Sequence, residues 1–183
     1  GLQFPENLDN YKLPALLNQA IDARMNRVAG KNSNHLQKLA IACTPLTRNL
    51  IMQLLKLKDY QLYSLLNDAI HNEILIKRGK NYYYTFWEAH QKYLSQNTPE
   101  EVIQISQEVL AYFKDRRLDD AQTCLGLIQN ASMAQDPLSE REYYKKLYAI
   151  YNADFEQEKA YEAIINVLRI DFALGMTDDP NKP

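Results

Sequence analysis

The sequence predicts a mainly α-helical chain: a winged-helix domain carrying one β-hairpin, followed by a region of repeated α–α hairpins. Three observations predict it. Apolar residues recur at spacings of three and four through most of the chain, the period of a helix face. That period breaks once, where two β-rich runs flank Arg78-Gly79-Lys80-Asn81. The charge also changes sign along the chain. Residues 1–95 hold 12 Lys/Arg against 7 Asp/Glu, a balance of +5, and residues 96–183 hold 9 against 16, a balance of −7. Two units with different surfaces account for such a split. The boundary falls in the polar stretch Ser95-Gln96-Asn97-Thr98-Pro99, so we place a winged-helix domain over 10–95 and helical hairpins over 98–174.

In the first unit, Leu13-Pro14 followed by Ala15, Leu16, Leu17, Ala20, Ile21, Met25 and Val28 reads as a helix with Pro in its first turn, where the missing N–H costs little. Ala29-Gly30-Lys31-Asn32 should end it, with Ser33 or Asn34 capping the next helix, whose stripe is Leu36, Leu39, Ala40 and Cys43. Thr44-Pro45 reads as N-cap and first residue of a third helix carrying Leu46, Leu50, Ile51, Leu54 and Leu55. Asp59 can cap a fourth, with Leu62, Leu65, Leu66, Ala69 and Ile70 inward. Glu73–Lys77 and Tyr82–Phe86, joined by the Gly-containing turn, form the wing. On the second run, alternation buries Tyr82, Tyr84 and Phe86 and leaves Tyr83 outward as a candidate partner contact. Trp87–Leu94 returns to helical spacing.

In the second unit, Glu100–Phe113 has a broad apolar face, and a second helix carries Leu118, Ala121, Cys124, Leu125 and Leu127. A third starts near Leu138, and a fourth carries Ala160, Tyr161, Ile164, Ile165, Leu168 and Phe172. Tyr112…Ala121 recurs as Tyr151…Ala160, an offset of 39. A tetratricopeptide unit is about 34 residues, so a longer loop is needed, and Ser132–Pro137 is the segment able to supply it. Two hairpins are few for a solenoid. Opposite charges on the two units would help them dock.

The order of motifs is similar to the region after the nucleotide-binding core in the STAND class of signal-transduction ATPases. The run from Phe4-Pro5-Glu6-Asn7-Leu8 through Leu13-Pro14-Ala15 to Arg27-Val28 resembles that class's helix after the core, and Asn72–Phe86 resembles its wing. The resemblance implies a winged helix that packs on a nucleotide core, tetratricopeptide-like repeats that receive a signal or protein partner, and a change of domain packing coupled to nucleotide state. The core itself would lie before residue 1. One departure stands out. The class commonly follows its wing with a His that senses phosphate, and here Glu88 holds that place, where a carboxylate would repel phosphate. His90, two residues on, is about 200° further round a helix.

No reaction chemistry is legible. Gly30-Lys31 lacks the rest of a P-loop, which would need Gly at Met25 and Ser or Thr at Asn32. His35, His71, His90, Cys43 and Cys124 have no metal-ligand spacing, and there is no G-x-S-x-G elbow. Surface histidines and core thiols account for them. The pairs Glu100-Glu101 and Asp119-Asp120 point to different helix faces and read as solvated charge. We therefore expect no enzyme, cofactor or metal site. Two cysteines suit a reducing cytoplasm, and no apolar run approaches the 18–20 residues of a membrane span.

DNA is the main rival partner, since winged helices often set their last helix in the major groove. Gln61, Ser64 and Asn67 on that helix could read bases, and Lys77, Arg78 and Lys80 on the wing could meet phosphates. The helix carries two acids and no Lys or Arg, although phosphate contacts dominate affinity. An adaptor acting through the repeats alone is the third reading.

Overall fold

The computed structural model describes residues 15–28 and 30–176. The Leu13-Pro14 start expected for the first helix, and residues 10–14 of the first unit, lie outside them. Within the described residues the chain is mainly helical with one small antiparallel sheet. Helix α1 (Ala15–Arg27) precedes α2 (Gly30–Ala40), the short strand β1 (Leu46–Thr47), α3 (Arg48–Leu55) and α4 (Asp59–His71). The hairpin β2 (Leu75–Arg78) and β3 (Asn81–Tyr84) then leads to α5 (Trp87–Leu94). Helices α6 (Pro99–Phe113), α7 (Ala121–Met133), α8 (Pro137–Ala153) and α9 (Gln157–Ala173) complete the chain.

The sheet order is β1-β3-β2, so the hairpin is joined by an upstream strand, with Leu46 opposite Tyr82. Thr44-Pro45 therefore does not start α3. Residues 46 and 47 are drawn into the sheet, and Thr47 caps α3 by accepting a hydrogen bond from the Leu50 N–H. Shifts of one to four residues occur elsewhere. Helix α2 begins at Gly30, ahead of the expected Ser33 or Asn34 cap. Lys58, not Asp59, sits at the cap of α4, and its N–H donates to Gln61 Oε1 at 2.9 Å. The wing turn is tighter than four residues: Arg78 pairs with Asn81, and Gly79 takes the positive φ of 60° between them.

The core of the first half is aliphatic, built from Leu36, Leu39, Leu50, Ile51, Leu62, Leu65 and Ile74, all fully or almost fully buried. Helix α1 is tied to the far side by Arg24, which pairs with Glu73 and lies over the Phe86 ring, and by Asp22, which pairs with Lys92. Phe86 thus leaves the strand alternation and becomes the cap residue of α5.

Helix α6 starts at a capping box, Thr98 with Glu101 and Pro99 in the first turn. Asp120 caps α7 and Asp136 caps α8. Glu101 and Asp120 are thus helix caps rather than free charge. The connection before α8 is only Ala134-Gln135-Asp136, so no long loop explains the 39-residue offset. The longer link is 114–120, and α8 and α9 are each 17 residues. Helices α7, α8 and α9 end alike. Gln135, Phe155 and Gly175 have φ of 56°, 60° and 66°, and the next N–H in each case reaches back to Ala131, Tyr151 or Asp171 carbonyl, the Schellman pattern.

The buried cluster continues from the first half into the second, from Val28 and Leu36 to Leu127, Leu147 and Ala163. At the junction α7 lies on the turn after α2. Fully buried Asn130 donates to the Ala42 carbonyl, and Gly126 lies directly on the Cys43 backbone. Among the described residues no ion pair crosses this junction; buried apolar side chains, the Asn130 bond and the close Gly126 contact form it.

Candidate functional site

The candidate site is the outward face of α4 with the wing that follows it. Leu62, Leu65, Leu66 and Ala69 turn inward and fix the helix on the core. The 3.6-residue period then forces Tyr60, Tyr63, Ser64, Asn67 and His71 outward. Tyr60 is 69% exposed and Tyr63 is 63% exposed. Ile70, expected inward, is more exposed than buried residues of the same stripe because the helix rotates it toward the rim, where Ile76 of β2 is exposed as well. The face is therefore aromatic and aliphatic with short polar groups between.

The predicted base readers divide. Ser64 and Asn67 are exposed. Gln61 is half-buried, and its carbonyl oxygen is used by the Lys58 N–H. A Gln three residues after a cap position is a capping-box signature, a signal that could have been read in the sequence. Of the helix's two acids, Asp59 is exposed at its start. Asp68 is turned inward, accepting from Asn32 Nδ2 at 2.7 Å and Asn72 Nδ2 at 2.9 Å.

Lys77, Arg78 and Lys80 are exposed on the wing, and Lys56 and Lys58 are exposed just before α4. The Arg78 guanidinium lies 5.9 Å from the centre of the Tyr83 ring. Tyr83 is half-buried. Tyr82 is buried, and the Tyr84 hydroxyl donates to the Leu36 carbonyl.

His90 is a core residue rather than a surface one. Its Nε2 lies 2.8 Å from the Ala40 carbonyl and its Nδ1 lies 3.2 Å from Gln91 Nε2. The ring is packed between Tyr84 and the stacked indole of Trp87. Both nitrogens are engaged, and burial pushes the imidazole below its ordinary pKa. It therefore sits neutral at pH 7 with no lone pair or N–H offered outward. His35 is half-buried with its pKa lowered, first by burial and then by Lys31 and Lys38, and His71 is exposed.

Burial raises the Cys43 thiol to about 12 and the Cys124 thiol to about 11, so neither is a nucleophile at neutral pH. Among the described residues no group of three His, Cys, Asp or Glu is placed to hold a metal ion, and no helix is long and apolar enough to cross a membrane. An open cleft of about 250 Å³ lies between the sheet, α5 and α7, lined by Cys43, Thr44, Tyr83, Trp87 and Gln122 among others. It is smaller than the usual small-molecule site.

No protein-family model, curated protein or solved structure matches the chain.

Proposed function

We propose that this chain is a non-catalytic regulatory and protein-interaction region of a cytoplasmic signalling ATPase of the STAND class. The winged helix serves as a packing module, and the tetratricopeptide-like helices are the surface for a signal or partner. One observation carries the reading: the outward face of α4 presents Tyr60, Tyr63 and Ile70 and not one Lys or Arg. Exposed aromatic residues on a rigid helix are the anchors that protein interfaces bury, and a groove-reading helix gains most of its affinity from cations this face lacks. The natural reading frame should then encode a P-loop nucleotide core upstream of residue 1. Tyr60→Ala with Tyr63→Ala should weaken binding of that core at least tenfold while leaving the melting temperature of the chain unchanged. A reading frame without the core, or undiminished binding by the double variant, removes the proposal.

A second reading, a DNA-binding regulator with a helical effector or dimerisation unit, draws on exposed Lys77, Arg78 and Lys80 beside exposed Ser64 and Asn67. It requires salt-dependent binding of duplex DNA that falls when the three wing cations become Ala. Fluorescence anisotropy at two salt concentrations decides between the readings.

A further inference from the structure

We propose that the chain pairs with a second copy of itself through an antiparallel contact between the outer faces of α9. Ala160, Ala163 and Val167 are the buried side of α9, and α8 covers them. A second apolar stripe lies about a third of a turn away and is left largely uncovered by the described residues: Tyr161 is 67% exposed, Leu168 60% and Phe172 79%, with Ile165 half-buried between them. The spacings are four, three and four residues, the seam of a helix pair.

That seam reads the same in both directions. When a second copy runs antiparallel, Ile165 opposes Leu168 of the copy and Tyr161 opposes its Phe172, and the two-fold axis repeats both layers. An isologous contact needs such self-complementarity. The flanking charges fit the same register. Glu162 and Arg169 are both exposed, and neither makes an ion pair with another described residue. In the antiparallel register each Glu162 lies beside Arg169 of the copy, so two equivalent ion pairs border the seam. A parallel in-register pair faces Glu162 with Gln157 and Arg169 with Ile164 instead, so opposite charges meet in the antiparallel arrangement alone. The nearby acid Asp171 is already held by Arg141 of α8 and stays out of the contact. This inference does not depend on what α4 binds.

One helix length of contact belongs to the small end of specific interfaces, so the test is sedimentation equilibrium of the whole chain at concentrations up to a few hundred micromolar. The expected result is twice the monomer mass at the top of that range. Leu168→Glu should abolish the dimer, and Glu162→Arg alone should weaken it at least fivefold. The double exchange Glu162→Arg with Arg169→Glu should restore it to within about twofold. These are exposed positions, so circular dichroism should show unchanged helicity and rule out unfolding as the cause. A spin label at Glu158→Cys should report its twin about 26 Å away along the axis, seventeen residues at 1.5 Å each, against roughly 10 Å in a parallel pair. A monomer throughout, a double exchange that fails to restore the dimer, or the shorter label distance overturns the proposal. The first outcome would leave the stripe to a different partner or to a further helix.

Discussion

Gly126→Ala tests how the two halves are joined. Gly126 is buried in α7, and a Cβ built there would lie 2.4 Å from the Cys43 carbonyl oxygen and 2.8 Å from both the Cys43 carbonyl carbon and Thr44 Cγ2. Two of those atoms are backbone, and Cys43 is already in the left-handed region at φ 52°, so the turn has little freedom to yield. Ordinary contact would need about 1 Å more between α7 and the 42–44 turn. That displacement also stretches the Asn130 bond to Ala42. Overpacking of this kind costs about 1–3 kcal/mol, and the backbone contact places it at the upper end. In an open helix the same substitution would stabilise by up to about 1 kcal/mol, so the expected net loss is about 2 kcal/mol. For a chain of this size that lowers the melting temperature by about 4–8 °C. Thermal unfolding followed by far-UV circular dichroism measures it, with exposed Gln129→Ala as the control. A melting temperature equal to or above that of the parent refutes the reasoning, because it would mean α7 gained its helix propensity without meeting the turn.

Other predictions follow from buried polar atoms and thiols. Asn130→Ala removes the donor to the Ala42 carbonyl and should cost about 1–3 kcal/mol, read as a shift in urea midpoint. Ser106 is fully buried and its hydroxyl finds no partner among the described residues, so Ser106→Ala should be neutral or stabilising by the same measure. Burial lowers the pKa of His90 and of His35, so the unfolded chain binds protons the folded one refuses. Stability should be complete above the ordinary imidazole value of about 6.5 and fall as pH drops below it. His90→Gln, which keeps a donor for Ala40, should flatten part of that slope; an unchanged slope would show that His90 binds protons alike in the folded and unfolded chain. With thiols raised to about 12 and about 11, Cys43 and Cys124 should resist iodoacetamide at pH 8 and react once urea unfolds the chain, as mass spectrometry would show.

How much was legible in the sequence depended on how far each residue's partner lies along the chain. Thr98-Pro99-Glu101 holds a helix start whose capping partners are only three residues apart, although by charge alone Glu100-Glu101 reads as solvated. The wing was legible for the same reason, since its period and turn glycine lie within Glu73–Phe86, although its turn closes tighter than the sequence suggests. Thr44-Pro45 misleads because β1 exists only by pairing with Asn81 and Tyr82, over thirty residues away, and that long-range ladder overrides a good local start signal. His90 reads as a surface histidine until α2 supplies the Ala40 carbonyl from 50 positions upstream. The outward face of α4 was legible from period alone except at Ile70, where a strict stripe and the rim of the core part company, and at Asp68, which Asn32 and Asn72 engage. Gln61 belonged to that face by spacing and to the cap by chemistry, and the cap took it. The α9 stripe looks like core in the sequence, since Ile164, Ile165, Leu168 and Phe172 all suit burial. Which of them lacks a partner depends on the packing of α8.

The charge split along the chain shows why composition and contact must be kept apart. Balances of +5 and −7 make attraction between the halves plausible, yet their junction contains a glycine on a backbone carbonyl, an asparagine bonded to another and aliphatic side chains. Such contacts depend on distances of a few ångströms and are barely screened by salt, whereas attraction between solvated surfaces fades over a Debye length of about 8 Å at physiological ionic strength. The junction should therefore persist in high salt. Some of the charges pair within each half, as Arg24 does with Glu73 and Arg141 with Asp171, while exposed cations gather on and before the wing and Glu162 and Arg169 flank the outer stripe of α9. Among the described residues, apolar burial and backbone contacts rather than ion pairs form the junction between the halves.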